Sequence, residues 1–308
     1  AFEGVKMSYT KNPLGSELFF SSHAILFEKG IQDYTINIKS NNGQKVFFEQ
    51  TENSALPYDI FACTFYLLSR YEEYLPHIKD RFQRFPAKQS LAYKNGFLKT
   101  PVIEYWLLDL VTAIQSKFPE FQAVKREFKF VNTIDVDNAY CYLEKGIVRN
   151  IAASIRSIVN LDFEGLSQRI QVLIGKQKDP YDTFDYLLGL QNKYEFKSIY
   201  FFLLADYGHN DKNIPVTSNK FQSLVKSLAD VQVGIHPSWA SNKDSSKLPK
   251  EIKRLEAMTN REVTRSRQHF LKLDLPTTYR HLIDLGIRED YTMGYASQVG
   301  FRAGTSLP

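Results

Sequence analysis

Two aspartates one position apart, Asp135 and Asp137, are the residues of this chain best suited to chemistry. They end an apolar run, residues 128–134, whose composition predicts a buried strand. Burying unpaired carboxylates costs several kcal/mol, roughly, so such a pair is usually held by a cation or by hydrogen-bond donors. The structural alternative is that Asp137 or Asn138 caps a following helix.

Three further candidates follow predicted strands later in the chain. His236 comes directly after residues 231–235, and its imidazole together with a carboxylate would suit Zn²⁺ or a neighbouring first-row metal. Taken alone, His236 is more simply interpreted as a hydrogen-bonded loop histidine. Arg267 and His269 follow the run at 262–266, where Arg267 could pair with an acid and His269 could be a ligand or proton donor.

Polar and aromatic residues near these positions are candidates for contacting a substrate. They lie in segments that follow apolar runs or are flanked by glycines, where specificity usually resides. The substrate-contact candidates are Trp239, Asp290, Tyr291 and Arg302.

The elements that must position these residues alternate between strand and helix from about residue 127 onward. Near-continuous apolar strands separated by helices are typical of a parallel sheet or barrel covered by helices. The predicted strands are 128–134, 197–204, 231–235 and 262–266, and the predicted helices are 182–194, 218–229, 249–258 and 276–285.

The first 125 residues have a different pattern and predict a small α/β domain. Pro57 and Pro101 open the two predicted helices at a position where proline's missing N–H is harmless. Those helices cover 58–75 and 101–118, and short strand-like runs occur at 18–20, 24–27, 34–38 and 46–48. We therefore place a domain boundary between residues 125 and 126.

A basic helical insertion at 145–178 interrupts the strand–helix alternation. It mixes apolar residues with six cationic ones, so it predicts amphipathic helices. Such a face could contact a membrane or anionic lipid, or grip an anionic substrate. The alternative is an ordinary solvated face.

Composition narrows the class of protein. The 308 residues are 43% hydrophobic with a net charge of +5 and a pI near 8.9, and the charges are interleaved, which disfavours nucleic-acid binding. Two cysteines, Cys63 and Cys141, exclude a disulfide framework and disfavour a cysteine-based zinc site. No signal peptide or membrane span is recognisable, so we expect a cytoplasmic location; the sequence predicts no oligomeric state.

The order of Asp-x-Asp, histidine and arginine at successive strand ends resembles the polysaccharide deacetylases of the NodB-homology class, carbohydrate esterase family 4. The resemblance rests on residues 133–137, 234–236 and 266–270. Residues 66–75 and 90–93 resemble the extra N-terminal α/β domain found in a Bacteroidetes-type variant of that family.

The resemblance implies a distorted or incomplete (β/α) barrel at 126–308, preceded by the small α/β domain. It implies a hydrolase that removes N-acetyl groups from an amino-sugar polysaccharide or its precursor in cell-envelope glycan metabolism. Asp137 and His236 would hold a divalent metal, commonly zinc and sometimes cobalt or nickel. Asp135 would act as general base, oriented and kept ionised by Arg267.

The chain departs from the family pattern in three ways. Ala240 stands where a second histidine ligand belongs, and His269 is our candidate replacement. Val136 separates the two acids, although residues two apart in a strand still face the same side. The late Leu-x-x-His motif does not appear, and we expect the native chain to continue beyond Pro308.

These departures leave a second hypothesis open. The chain could be a catalytically impaired carbohydrate-binding or assembly protein that retains the deacetylase barrel. A glycosidase using Asp135 and Asp137 is disfavoured, because residues so close are expected to fall short of the ~5 to 9.5 Å that glycosidase carboxylate pairs need.

Overall fold

The computed structural model describes residues 6–125 and 127–307, which form two compact units. The first comprises Ala1–Glu127 and Met293–Pro308, and the second comprises Phe128–Thr292. The predicted second domain ran from 126 to 308, whereas the structure groups its last residues with the first unit. There Gly304 O accepts the Ile103 N–H and Leu98 O accepts the Phe301 N–H, at 3.1 and 2.8 Å.

In its described residues the first unit has two small sheets and three α-helices around an aromatic core. Strands β1 and β2 pair in parallel, whereas β3 and β4 form an antiparallel hairpin. The strands are β1 (Met7–Thr10), β2 (Leu18–Ser21), β3 (Lys39–Asn41) and β4 (Gln44–Val46), and the helices are α1 (Ile60–Leu68), α2 (Leu91–Lys94) and α3 (Val102–Lys117).

Helix α1 is shorter than the predicted helix over 58–75. Asp59 caps its start by accepting the N–H groups of Phe61 and Ala62 at 3.0 and 2.9 Å. The helix ends at Leu68 because Arg70 adopts a left-handed conformation with φ of 56°, after which a 3-10 turn covers Tyr71–Glu73. The prediction of one continuous helix was therefore wrong.

Two of the strand predictions in this unit were also wrong. Residues Ala24–Leu26 form a 3-10 helix, because His23 caps their first turn by accepting the Ile25 N–H. Residues 34–38 form no strand, whereas the run at 18–20 is confirmed as β2. The run at 46–48 contributes only the end of β4.

The second unit is built on a five-stranded, wholly parallel sheet in the order β5-β6-β7-β8-β9. Its strands are β5 (Val131–Val136), β6 (Lys197–Phe202), β7 (Gln232–Ile235), β8 (Arg265–Ser266) and β9 (Glu289–Asp290). Its helices are α4 (Ile147–Val159), α5 (Phe163–Leu173), α6 (Phe184–Tyr194), α7 (Asn219–Ser227), α8 (Lys247–Thr259) and α9 (Thr277–Asp284).

In this sheet, strands that are consecutive in sequence are also neighbours in space, which is typical of a partial barrel. Crossovers between parallel strands are almost always right-handed, so a sequential order sends every crossover to the same side of the sheet. Helices then cover one face and the sheet curls, as in one half of a (β/α) barrel. The prediction of an α/β fold with an incomplete barrel is confirmed at this level; its NodB type remains a proposal.

The core of this unit is centred on β6. Residues 199–204 are completely buried, as expected for a central parallel strand. Gly234 in the neighbouring strand allows this packing, since a Cβ there would lie 2.6 Å from the Phe201 ring and 2.9 Å from Arg265 O. A larger residue would force β7 away from its neighbours, two positions before His236.

The structure shortens two predicted strands. The run at 128–134 begins pairing only at Val131, which lies opposite Lys197, and Phe128 is 92% exposed. Asp135 consequently lies inside β5 rather than beyond it. The run at 262–266 is reduced to β8, in which Ser266 pairs with Ile235 on one side and Arg265 and Ser266 pair with β9 on the other.

The insertion at 145–178 is confirmed as helical and forms α4 and α5. Among the helices of residues 6–125 and 127–307, none combines the length and the apolar character needed to span a bilayer.

Candidate metal centre

The parallel sheet brings the predicted chemical residues to a common edge. Strands β5, β7 and β8 point the same way, so the residues that follow them emerge together. Asp137 follows β5, His236 follows β7 and Arg267 follows β8. The convergence expected from the sequence pattern is thus a consequence of strand polarity.

Three side chains form a tight cluster at this edge. The Asp137 Oδ1 atom lies 3.3 Å from His236 Nε2, and Asp137 Oδ2 lies 3.7 Å from His269 Nε2. One ligand atom from each of the three lies within 4.8 Å of the others. The imidazoles are 2% and 10% exposed, whereas the Asp137 side chain is 49% exposed and open to solvent.

The hydrogen bonds of the two imidazoles fit a metal centre. His236 Nδ1 lies 2.5 Å from Arg267 O, and His269 Nδ1 lies 3.0 Å from Asp211 Oδ1. Because both partners are acceptors, each Nδ1 carries the proton and each Nε2 is directed at Asp137. Metal-binding histidines are held in this way by carbonyl or carboxylate groups.

The spacing of the donor atoms also fits. Ligands on a tetrahedral ion with bonds of ~2.0–2.2 Å lie about 3.4 Å apart, close to the 3.3 Å between Asp137 Oδ1 and His236 Nε2, and one donor atom from each of the three residues lies within 4.8 Å of the others. Two imidazole nitrogens and one carboxylate oxygen, with one side exposed, suit zinc and its neighbours and leave a position for water or substrate.

The members of the cluster shift one another's pKa values. Burial by itself would raise the pKa of Asp137 and lower that of His269. The facing imidazoles of His236 and His269, at 3.3 and 3.7 Å, outweigh burial at Asp137, so its pKa lies well below the usual range. The carboxylates of Asp137 and Asp211 outweigh burial at His269 and raise its pKa to about 9. The site therefore favours an ionised carboxylate facing positive charge.

Asp211 is a buried residue that the sequence analysis missed. It is 2% exposed, and its two oxygens accept the N–H groups of Trp239 and Ala240 at 2.7 and 3.0 Å in addition to bonding His269. Asp211 thus ties the turn after His236 to the imidazole of His269. It lies in the loop after β6, nine residues beyond Phe202, and no local sequence pattern marks it.

Asp211→Asn is expected to weaken zinc binding about 10- to 100-fold, the usual loss on changing a partner of a metal ligand. Asn has one acceptor oxygen, so its amide would face either the Ala240 N–H or the N–H groups of Trp239 and His269. His269 would lose its fixed Nδ1–H tautomer. Chelator competition measures the affinity, and nitrogen NMR of the imidazoles reports the tautomer.

Asp179→Asn is the matched control for this substitution. Asp179 is similarly buried and accepts the backbone N–H groups of Cys141, Tyr142, Leu143 and Tyr181. Its loss should lower the free energy of unfolding while leaving the zinc affinity unchanged. Equal effects of the two substitutions on zinc affinity would contradict a positioning role for Asp211.

Asp135 and Arg267 form a second polar group beside the cluster. Arg267 Nε lies 3.6 Å from Asp135 Oδ2, an ion-pair distance, and Arg267 Nη1 donates to Thr133 Oγ1 at 2.8 Å. Thr133 and Asp135 lie two positions apart in β5 and therefore share a face, and Asp137 follows directly after the strand. Arg267 touches both groups, since its carbonyl also orients His236.

Two cavities adjoin these carboxylates. One of about 260 Å³ is lined by Asp137 and His269, and the other, of about 230 Å³, is lined by Asp135. Asn138 borders both, and its buried Oδ1 has no hydrogen-bond partner. The first cavity is also lined by residues that the sequence pattern did not single out: Leu203, His209, Asn210, Lys212 and Phe270.

The structure places two of the substrate-contact candidates near the same edge. Trp239 is half-buried, with its ring 5.2 Å from that of Phe270 and Lys272 Nζ 4.7 Å from its centre. The Tyr291 hydroxyl donates to Glu289 Oε2 at 2.7 Å, and its ring lies 5.4 Å from Phe201. Both roles in substrate contact remain predictions.

The side chain of Asp290 forms hydrogen bonds with residues near it in the sheet. Its carboxylate accepts the hydroxyls of Ser266 and Thr292 at 2.6 and 2.8 Å, and the Thr292 N–H at 3.0 Å. Burial raises the pKa of Asp290, outweighing these hydrogen bonds and the charge of Arg267. The ionised form is therefore disfavoured in the folded protein.

Asp290→Asn is expected to change how stability depends on pH. A raised folded pKa contributes stability that is fully present below the ordinary value of 3.8 and is lost as the pH rises through the folded pKa. The free energy of unfolding of the wild type should therefore fall relative to the variant above pH 3.8. Urea denaturation across this range measures the difference, and parallel pH profiles would contradict it.

Arg302 lies in the first unit, where it is 3% exposed. Its Nε and Nη2 donate to the two oxygens of Glu73 at 2.8 and 2.5 Å, and the fully buried Arg70 also donates to Glu73. Breaking a buried pair of this kind typically costs about 3–5 kcal/mol. The structure therefore gives Arg302 a structural partner, and its predicted substrate contact stays a prediction.

Comparison with protein families gives a match over the first part of the chain. Residues 1–119 match a family of unknown function, DUF7033, which is less than half of the 308 residues. A search of curated protein sequences finds no match.

Solved structures give distant similarities to polysaccharide deacetylases. One is a Mycobacterium smegmatis protein with the provisional name polysaccharide deacetylase, at 15% identity and a TM-score of 0.34 over 56% of this chain and 54% of that one. Another is a mutant of a CE4 family pseudoenzyme with restored enzymatic activity, at 15% identity and 0.31 over 53% and 44%. The matches span about half the length of those chains, and any functional argument must come from the site.

Proposed function

We propose that this protein is a metal-dependent hydrolase that removes N-acetyl groups from an amino-sugar polysaccharide or its precursor in cell-envelope glycan metabolism. The observation that carries the proposal is the cluster of Asp137, His236 and His269 with both Nε2 atoms directed at one carboxylate. The Asp135–Arg267 pair beside it supplies the second element that amide hydrolysis needs.

Asp137, His236 and His269 would hold the ion, most suitably zinc, with cobalt or nickel as alternatives. Such an ion supplies Lewis-acid polarisation of a carbonyl and lowers the pKa of a bound water to near 7. The half-exposed face of Asp137 leaves this side of the cluster accessible to an N-acetyl group.

The proton transfer in the reaction depends on side chains of this protein. Asp135 would take a proton from water as the water oxygen attacks the acetyl carbonyl. It would then pass that proton to the nitrogen as the C–N bond breaks, releasing acetate and the amine. Arg267 orients Asp135 from 3.6 Å, and its hydrogen bond to Thr133 limits movement of its guanidinium. Through its carbonyl, Arg267 also couples this base to the ligand His236.

Metal analysis and an acetate assay on the same preparation test the proposal. Protein purified without chelator should carry close to one zinc, cobalt or nickel per chain and should release acetate from chitooligosaccharide, peptidoglycan or a nucleotide-linked N-acetyl sugar. Chelation should stop acetate release, and zinc should restore it. Stoichiometric metal with no acetate from any of these substrates would contradict a deacetylase.

A second candidate is a carbohydrate-binding or assembly protein that retains the barrel without catalysis. The observation favouring it is that His269 lies within ion-pair distance of two carboxylates, 3.7 Å from Asp137 and 3.0 Å from Asp211, so a charged imidazole could bridge them. In that case the protein would bind oligosaccharide in calorimetry, retain no metal after dialysis and release no acetate.

A further inference from the structure

Helix α4 turns its apolar side outward. Its isoleucines and valines recur at helical spacing and are 51% to 82% exposed: Ile147, Val148, Ile151, Ile155, Ile158 and Val159. The residue it buries is Ser157, and Asn150 on its inward side donates to Tyr142 O. The usual amphipathic arrangement, with apolar residues inward, is therefore reversed.

The apolar surface continues beyond α4. The connection and α5 add residues that are 43% to 74% exposed: Leu161, Phe163, Ile170, Leu173 and Ile174. We call these eleven residues together the insertion face. Soluble monomers rarely expose contiguous apolar patches of more than a few hundred Å², and larger patches mark interaction surfaces.

Charge indicates which kind of surface the insertion face fits. Residues 145–178 contain six cationic side chains against Asp162 and Glu164, a net charge of +4. Arg149 and Arg169 are engaged by the rings of Tyr207 and Tyr142, whereas Arg156 and Lys176 are exposed. An apolar helix face bordered by exposed cations is complementary to a bilayer with anionic head groups.

We propose that the insertion face docks in the plane of an anionic phospholipid membrane, with α4 lying along the interface. At 1.5 Å per residue its 13 residues extend roughly 20 Å, which suits an in-plane helix. Isoleucine, valine and phenylalanine side chains enter the head-group boundary, and Arg156 and Lys176 meet phosphate groups. This proposal does not depend on the deacetylase proposal.

Helix α4 contacts a loop of the candidate metal centre through Arg149. Arg149 donates to Lys212 O and Asn213 O, each at 3.4 Å, and its guanidinium lies 4.3 Å from the centre of the Tyr207 ring. The loop that it contacts carries Asp211 and lines the cavity at Asp137. Membrane docking therefore brings that cavity close to the lipid surface.

Vesicle co-sedimentation of the full chain tests the proposal. The wild type should bind vesicles of phosphatidylglycerol and phosphatidylcholine in equal parts, and bind pure phosphatidylcholine much more weakly. Ile151→Ser with Ile155→Ser should reduce binding about tenfold or more through lost apolar burial. Arg156→Gln with Lys176→Gln should reduce it by roughly 10- to 30-fold, and added salt should mimic that effect.

Ile283→Ser is the matched control, since Ile283 is 69% exposed on α9, away from the insertion. It should leave vesicle binding unchanged, and circular dichroism should show that every variant folds. Absent vesicle binding, or binding unaffected by the isoleucine substitutions, overturns the proposal. Self-association that Ile151→Ser with Ile155→Ser abolishes, without vesicle binding, would also overturn it and assign the face to a second copy.

Discussion

Asp137→Ala should abolish stoichiometric metal binding and lower acetate release by more than about 100-fold, beyond what changing a partner of a ligand costs. Asp137 is the only cluster member facing both imidazoles, at 3.3 and 3.7 Å. Removing it leaves two neutral nitrogen donors that lack the charge a divalent cation requires. Metal content by mass spectrometry and acetate release on the same sample measure the effect.

Asp230→Ala provides the control for this substitution. Asp230 is 93% exposed and pairs with Arg261 on the surface, so its loss should change neither metal content nor activity. If Asp137→Ala kept a full equivalent of metal, the assignment of the cluster as a metal centre would be wrong. If it lost the metal and kept full activity, the hydrolase would not be metal-dependent.

Asp135→Asn should lower kcat by about 10²- to 10⁴-fold, the usual contribution of a general base, with metal content unchanged. Asn has nearly the same shape but no basic oxygen to accept a proton from water. Because Asp135 lies in β5, opposite Phe201, its position is set by the strand and the substitution should not move it. Steady-state kinetics and metal analysis separate loss of the base from loss of the ion.

Arg267→Gln tests whether the guanidinium acts through Asp135. In the wild type it should reduce kcat, whereas in the Asp135→Asn background it should add little, because residues that work as a unit are not additive. Full additivity would assign Arg267 a separate role. Unchanged kcat in Asp135→Asn would remove the general-base role from Asp135.

Local sequence patterns were sufficient for much of the second unit. The alternation of apolar strands and helices predicted β6, β7 and helices α6 to α9 to within a few residues. Polar residues at the ends of predicted strands then pointed to Asp137, His236 and Arg267. This succeeded because propensity and periodicity are local properties, and because parallel strands bring their carboxyl ends to one edge.

The partners of those residues were decided by the tertiary structure. The sequence offered His269 only as a candidate, and its distance to Asp137 depends on packing across 132 residues of chain. Asp211 lies 58 residues from His269 and carries no motif. Such contacts follow from how loops close on the sheet, and no local pattern encodes them.

The sequence also left undetermined the direction in which side chains and helix faces point. The amphipathic pattern of 145–178 predicted helices but not that α4 would face its isoleucines outward. The sequence offered Arg302 as a substrate contact and did not indicate its buried ion pair with Glu73 in the first unit. Periodicity states which residues share a face, whereas the direction of that face is set by what the rest of the chain packs against it.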